Sequence, residues 1–512
     1  MSAAARRPRP VHVPVHRPAP ARPPVHDRQR SPTVTTASPA PADSQPPGDE
    51  VLVAGIDSST QSTKVVLVRA SDGTVVAEAS APHPNGTEVD PKYWWKALQT
   101  AGAGLLERAA AIGVGGQQHG MVLLDDQGEV VRPALLWNDL RSSPQGHQVV
   151  EHLGGPQATA DAIGSVPAGS FTVTKLRWVF ENEPENAARV AAVGLPHDWV
   201  TWKLAGGHEA GVGLTTDHGD ASGTGFYSPS KRDWLPELAA WALGRPADQA
   251  PALPRLVEPG GVAGRTPSGT LLSAGTGDNP AAALGLGLEP GDVVVSIGTS
   301  GTAYCVSDEP SADPLGMVVG FADATGNYLP LACTINAARI LSTTEELLGV
   351  DHDEFSRLAL SAPAGANGLV LLPYLDGERT PNRPEATGVL KGLTSATTRA
   401  DYARAAVEGL LCSLADAVDA LGVTARRVLL IGGAVKSEAV RRIAPAIFGV
   451  DVQVPPPAEY VALGAARQAA WALSGAAEPP VWAAAQTETY SAPATPEVLE
   501  RYRVLRDATV GW

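Results

Sequence analysis

Cysteine is scarce in this chain, with Cys305, Cys333 and Cys412 the only examples in 512 residues. They lie far apart and form no CxxC pair, which argues against a disulfide framework and a zinc site. Each reads as a small buried hydrophobe, a usage that suits a reducing cytoplasm. Basic residues are also in short supply: 39 Lys and Arg against 54 Asp and Glu give a formal net charge of -15. Nucleic acid would be repelled at long range, so any anionic ligand must be held by local donors and a metal ion. No apolar run approaches the roughly 18 residues that a membrane helix needs. Two nucleotide-binding grammars are missing as well. The glycine-rich loops contain no GxxxxGK[ST], which excludes a P-loop NTPase, and the protein-kinase signature set is absent.

What is present is a phosphate-type loop written twice. VLVAGIDSSTQSTKVVLVRA (Val51 to Ala70) and VVVSIGTSGTAYCVSDE (Val293 to Glu309) each set a tight Gly/Ser/Thr turn between two strand-like runs. Such a turn can aim several backbone N–H groups and hydroxyls at one point, as a phosphate chain requires. Two copies predict a duplicated α/β domain holding a nucleotide between its halves, as in actin-like ATPases. The length allows two or three domains.

Along the chain, residues 1–50 are rich in Arg, Pro, His and Ala and show no apolar period, which predicts a disordered tail or a gene start called too early. Arg6 and Arg7 have no apolar stretch after them, so a twin-arginine export signal is not expected. From Val51 three short strands joined by tight turns predict an antiparallel meander. Pro91 to Ala111 carries apolar residues at helical spacing behind Asp90 as N-cap. The stretch from Thr174 to Gly291 resists placement. Near Leu288 to Gly291 the pattern restarts, with Val293 to Ile297, Ala303 to Ser307, Met317 to Phe321 and Tyr328 to Cys333 as strands. Tyr402 to Leu421 predicts an amphipathic helix, RVLLIGG a buried strand, and YVALGAARQAAWAL an Ala-rich helix. The organisation expected is a tail over 1–50, domains over 51–289 and 290–480, and a C-terminal segment over 481–512.

Five clusters carry candidate chemistry. Asp57 ends an apolar strand beside Ser58, Ser59 and Thr60, placed either to hold Mg²⁺ near terminal phosphates or to stabilise a hairpin turn. Gly298, Thr299, Ser300 and Gly301 form the second cradle. Asp278 and Asn279 stand on a glycine-flanked turn before a small-residue helix, where Asp278 is a general-base candidate or an N-cap. Gln118 and His119 follow a strand and can read the hydroxyls of a polyol, and His119 has a structural reading too. Gly432 and Gly433 end a strand where a flat adenine or ribose could approach the backbone. Asp139 and Arg141, in LWNDLRS, read as a surface pair.

Together these residues resemble the FGGY carbohydrate kinases, and among them the branch acting on D-xylulose. SFTVTKLRWVFEN (Ser170 to Asn182) and GVLKGLTSATTRADYARAAVEG (Gly388 to Gly409) look like the two family signatures. GIDSSTQSTK, GQQHGM, LWND, GDN, SIGTSG, LPYLDGERTP and LIGG fall in the family's order. The resemblance implies two ribonuclease H-like domains with a sugar and Mg-ATP in the central cleft, and it is compatible with a homodimer; the cytoplasmic location is the one that the cysteine usage suits. Asp278 would be the general base, and Gln118, His119, Asp278 and Asn279 would contact the sugar. Asp57 and Thr60 would serve Mg²⁺ and phosphate, Gly298 to Gly301 the phosphates, and Gly432 with Gly433 the adenosine. Other sugars or polyols (ribulose, L-xylulose, gluconate) and a non-kinase ATPase are the alternatives. Ser58 and Ser59 depart from the family's usual glycine-containing pair, which predicts lost backbone freedom in the first loop. Ala434 and Val435 depart in the second half, where many members carry another glycine.

Overall fold

The computed structural model describes residues 34–35, 50–483 and 486–512. The tail expected over 1–50 therefore lies outside the described residues, apart from Glu50 and the pair Val34–Thr35. That pair lines up antiparallel with the outer strand of the first sheet.

β1 (Leu52–Ser58), β2 (Ser62–Arg69) and β3 (Val75–Pro82) form the antiparallel meander that their turns predict. α1 (Lys92–Gly102) follows, with the Lys92 N–H donating to Asp90 Oδ1 at 3.0 Å. The helix stops well short of Ala111. Leu105 and Leu106 keep the apolar spacing, but Gly104 adopts a left-handed φ of 73°, and a 3₁₀ turn at Leu106–Arg108 leads into β4 (Ala111–Gly116).

The stretch that resisted placement contributes α2 (Pro196–Leu204) and α3 (His218–Ala221), then β5 (Val262–Arg265) and β6 (Leu271–Ser273). After a kink at Gly275, β7 (Thr276–Gly277) runs beside the end of β4 and hands over to α4 (Asp278–Leu286). The sheet order is β3-β2-β1-β4-β6-β5, with β1, β4 and β6 parallel.

The second sheet repeats this plan. β8 (Asp292–Ile297), β9 (Gly301–Cys305), β10 (Val318–Ala322) and β11 (Tyr328–Thr334) pair antiparallel in the order β8-β9-β11-β10. β12 (Arg427–Ile431) and β13 (Val452–Val454) then run parallel to β8, and β14 (Glu488–Tyr490) closes the edge antiparallel. In both sheets the first strand has an antiparallel neighbour on one side, and on the other two parallel strands followed by an antiparallel one, so the duplication read from the loops extends to topology.

Strand alternation sends residues to opposite faces. Ala54 and Ile56 of β1 join a core with Trp94 of α1 and Trp199 of α2. Val293, Val295 and Ile297 of β8 face α5 (Arg399–Ala420), whose start is fixed by a reciprocal Thr398–Asp401 capping box. Val294 points the other way and shares a cluster with Phe171, Leu176 and Ala283 from the first half. The halves are thus joined by apolar packing.

α6 (Glu438–Phe448) covers the second sheet, whereas α7 (Tyr460–Ser474) crosses over to the first. Ala462, Ala466 and Ala469 pack there with Val53, Val66 and Ala111. Cys305 and Cys412 are buried, Cys333 is half-buried, and all three are free, as their isolation predicts. Among the described residues no helix is long and apolar enough to cross a membrane.

Candidate active site

β1 delivers Asp57 one residue before its end, buried and bonded to the Ser59 hydroxyl at 2.6 Å. The Lys64 ammonium stands 3.6 Å from its other oxygen and also grips Glu459 at 2.5 Å, just before α7. Burial raises the Asp57 pKa, and the Ser59 bond and Lys64 charge offset part of that rise. A buried carboxylate at a strand end, only partly compensated by its neighbours, suits a divalent cation. Ser58 and Ser59 do not strain the loop, since neither takes a left-handed conformation. The expected loss of backbone freedom is therefore corrected: this turn needs no glycine, and Ser59 gives Asp57 a donor instead. Thr60 accepts a hydrogen bond from the indole N–H of Trp137, an exposed ring that sequence reasoning overlooked.

Asp278 is the first residue of α4, with Gly277 in the cap position, so the N-cap reading does not apply. The Asn279 backbone N–H and side-chain amide both donate to Asp278 Oδ1, at 2.8 and 2.9 Å. The same Asn279 amide donates to Gln118 Oε1 at 2.9 Å. The Asp-Asn and Gln-His pairs, 161 positions apart at Gln118 and Asn279, thus meet in one network. Burial, reinforced by the charge of Asp57, pushes the Asp278 carboxyl up to about 7. Gln118 Nε2 is buried with no protein partner, a deficit that a sugar hydroxyl would fill.

His119 follows with a left-handed φ of 63°, rare for a non-glycine residue and held here by its surroundings. The fully buried Lys175 donates from Nζ to the His119 carbonyl at 3.0 Å, so the lysine of the first signature pins this turn. His119 Nδ1 lies 2.7 Å from the Gly223 carbonyl and so carries the proton, while the ring packs on Phe171 and Phe321. Burial, with the nearby Lys175 charge, pulls its pKa down to about 3. A neutral imidazole with Nε2 left as acceptor can take a hydroxyl hydrogen. Asp139 is not a surface group. It is buried, bonded to Thr87 at 2.8 Å and gripped by Arg141, whose guanidinium lies over Trp178.

The second loop is more open than the first. Thr299 and Ser300 are exposed, and the Gly298 and Thr299 carbonyls accept backbone N–H groups from Ala338 and Ala337. Gly301 must stay small, since a Cβ there would lie 2.5 Å from Thr334 Oγ1. Gly432, with φ 96°, lies against the backbone of Ile297, where a Cβ would come within 2.7 Å of the carbonyl oxygen. The predicted adenosine glycine and the predicted phosphate cradle are thus neighbours, and the space around Gly433 is open. Ala434 and Val435 are buried in the second core, which gives their departure from the family pattern a packing reason.

Other residues missed from sequence lie in LPYLDGERTP: Glu378 is buried and bonded to Asn336, and the charge of Arg379 reaches His119. Lys64 and Arg379 both sit inside quoted motifs, so motif membership was the available signal.

Comparison with known proteins identifies the family and the fold. The model of the FGGY family of carbohydrate kinases matches with its N-terminal domain over residues 52–285 and with its C-terminal domain over 293–473. A xylulose kinase of Streptomyces rubiginosus is 46% identical over 480 residues, 90% of this chain and 95% of that protein. One from Streptomyces coelicolor is 47% identical over 443 residues, 83% of this chain and 88% of its own. The crystal structure of xylulose kinase from Bifidobacterium adolescentis, 46% identical, superposes with a TM-score of 0.85 over 89% of this chain and 99% of that chain.

Proposed function

The chain belongs to the FGGY family of carbohydrate kinases, and we propose that it transfers the γ-phosphoryl group of ATP to D-xylulose, giving D-xylulose 5-phosphate. The observation that carries the site reading is the Gln118–Asn279–Asp278 network, which sets a carboxylate beside an unpaired buried amide donor. The choice of sugar is supported by the relatives named xylulose kinase. In this reading residues 51–289 supply the sugar site, first loop and base, and 290–480 the second loop and adenosine site. The reaction runs in the cytoplasm.

Gln118, Asn279 and His119 Nε2 orient the sugar so that its terminal hydroxyl meets Asp278. As the hydroxyl oxygen attacks, its bond to the γ-phosphorus forms and the bond from that phosphorus to the β,γ-bridging oxygen breaks. The hydroxyl proton passes to the Asp278 carboxylate, and ADP leaves with the bridging oxygen. Asp57 would hold Mg²⁺, which supplies positive charge against the phosphate oxygens. Thr60 and the turn Gly298 to Gly301 offer hydroxyls and backbone N–H groups to the phosphates, and Gly432 with Gly433 leaves room for the adenosine. Closure of the cleft over the sugar would exclude water, the competing acceptor.

Two measurements test this. Coupled ADP-release assays over D-xylulose, ribulose, L-xylulose, gluconate and glycerol should give the highest kcat/KM with D-xylulose. D-xylulose ranking outside the best few would reject it as the substrate, and full ADP release without sugar would reject a kinase. The second is a pH profile. A base must be ionised to accept a proton, and burial with the Asp57 charge raises the Asp278 pKa to about 7. Activity should therefore be full above that value and fall about tenfold per pH unit below it. A profile flat from pH 8 to 5 would remove Asp278 from the role.

A further inference from the structure

The turn that leads into Asp278 is gripped from behind by a buried cluster that the phosphoryl-transfer reading leaves unused. His197, at the start of α2, is fully buried. Its Nδ1 lies 2.7 Å from Asp220 Oδ2 and 3.2 Å from Asp198 Oδ1, and its Nε2 lies 3.1 Å from the Ala274 carbonyl oxygen. A carbonyl only accepts, so Nε2 carries a proton. Nδ1 faces carboxylates, so the ring is held as a cation. Burial alone would lower the His197 pKa, but Asp198, Asp220 and Asp217 outweigh it and push it up to about 10. His197 and the two carboxylates converge closely enough to suggest a metal centre. Both ring nitrogens are committed as donors, however, so no lone pair is left for an ion.

The next residues are fastened in turn. The Thr276 hydroxyl donates to Asp217 Oδ2 at 2.6 Å, and Asp217 also caps α3 through the Gly219 and Asp220 N–H groups. The Gln468 amide of α7 donates to the Gly275 carbonyl at 3.1 Å. Gly275 itself, with φ 73°, has no room for a side chain, because a Cβ would sit 2.5 Å from the His197 ring. The backbone kink between β6 and β7 is therefore held at three successive residues, and Asp278 emerges two residues beyond Thr276.

We propose that His197 paired with Asp220, together with Asp217, forms a clamp on the Ala274–Thr276 turn and so positions Asp278 against the sugar hydroxyl. The proposal rests on the general-base reading of Asp278. His197 and Asp217 are positioning residues, since they act through the turn. A reacting group displaced by about 1 Å can lose about 10² in rate.

The test uses the full chain with D-xylulose and ATP. His197→Gln removes the cation, and the N–H groups of its single amide nitrogen cannot span acceptors on opposite edges of the former ring. Thr276→Val is isosteric and removes only the bond to Asp217. Each should lower kcat by about tenfold or more with KM for ATP within about twofold of the parent, and add less than about twofold to the loss in Asp278→Asn. A clamp acting through Asp278 has nothing further to lose there, whereas general damage would multiply. Turnover within about twofold of the parent, or multiplying losses, overturns the clamp. If His197→Gln does not fold, Thr276→Val decides alone by the same criteria. Normal turnover in Asp278→Asn would dismiss the base reading, and with it the clamp. A slow Asp278→Asn beside normal clamp variants would dismiss the clamp only.

Discussion

Replacing Asp278 by Asn should lower kcat by roughly 10² to 10⁴ while leaving ATP binding intact. The substitution is nearly isosteric, and the Asn oxygen can still accept from the Asn279 N–H and amide that now reach Asp278 Oδ1. What disappears is the ability to take a proton. A second readout separates this from simple damage. The folded-state pKa of Asp278 is raised from the ordinary carboxylate range to about 7, by burial first and the Asp57 charge second. A carboxyl with a raised folded pKa binds its proton more tightly when folded. The wild type is therefore relatively stable below about pH 4 and loses that contribution as the pH climbs towards 7. Asn carries no charge to desolvate, so the variant should melt higher than the wild type at pH 8, with the gap narrowing as the pH falls. A slow enzyme that melts lower at pH 8 would point to disrupted packing.

Much of this site was legible because its pieces are local. A strand followed by a Gly/Ser/Thr turn needs no distant partner to be recognised, and both loops stand where that pattern puts them. Asp278 and Gln118 could be named from their motifs, but that Asn279 joins them is a fact of topology, set by β7 running beside β4. What stayed hidden shares a physical cause. Lys64 and Glu459 are 395 residues apart, and neither looks unusual beside its sequence neighbours. His197, Asp217 and Asp220 lie in the stretch without clear periodicity, where short elements are fixed by buried polar bonds rather than by an apolar stripe. Asp139 was misread as a surface group because WNDLRS is polar; burial became tolerable only through Thr87 and Arg141. The Ala-rich run at Tyr460 read correctly as a helix, yet nothing in its composition said that it would leave its own half and pack on the other sheet.

That crossing helix should make Gly464 one of the least replaceable positions outside the chemistry. α7 lies between the first sheet and α4, and its contacts on both sides are backbone against backbone. A Cβ on Gly464 would stand 1.8 Å from the Ala281 carbonyl oxygen of α4, and one on Gly285 would stand 2.1 Å from the Tyr460 carbonyl oxygen. On the opposite side, Cβ atoms on Gly55 and Gly113 would meet the Ala462 and Ala465 carbonyls at 1.8 and 2.1 Å. Two effects oppose each other in Gly464→Ala. Helix propensity favours alanine by about 1 kcal/mol in a helix interior. Overpacking against rigid backbone costs about 3 kcal/mol, at the upper end of its usual range because no rotamer change can relieve it. Steric cost wins, and denaturant titration should show a net loss of roughly 2 kcal/mol or more. Gly213→Ala is the control, since nothing lies within 4 Å of the added atom; it should stay within about 0.5 kcal/mol of the parent. The same displacement carries a functional consequence. α4 begins at Asp278, so the push that widens the gap between α7 and α4 also moves the proposed base. In the folded fraction, kcat should fall while KM for ATP holds. A Gly464→Ala enzyme as stable and as fast as the parent would mean that the two helices can slide apart without cost, and that α7 does not set the position of Asp278.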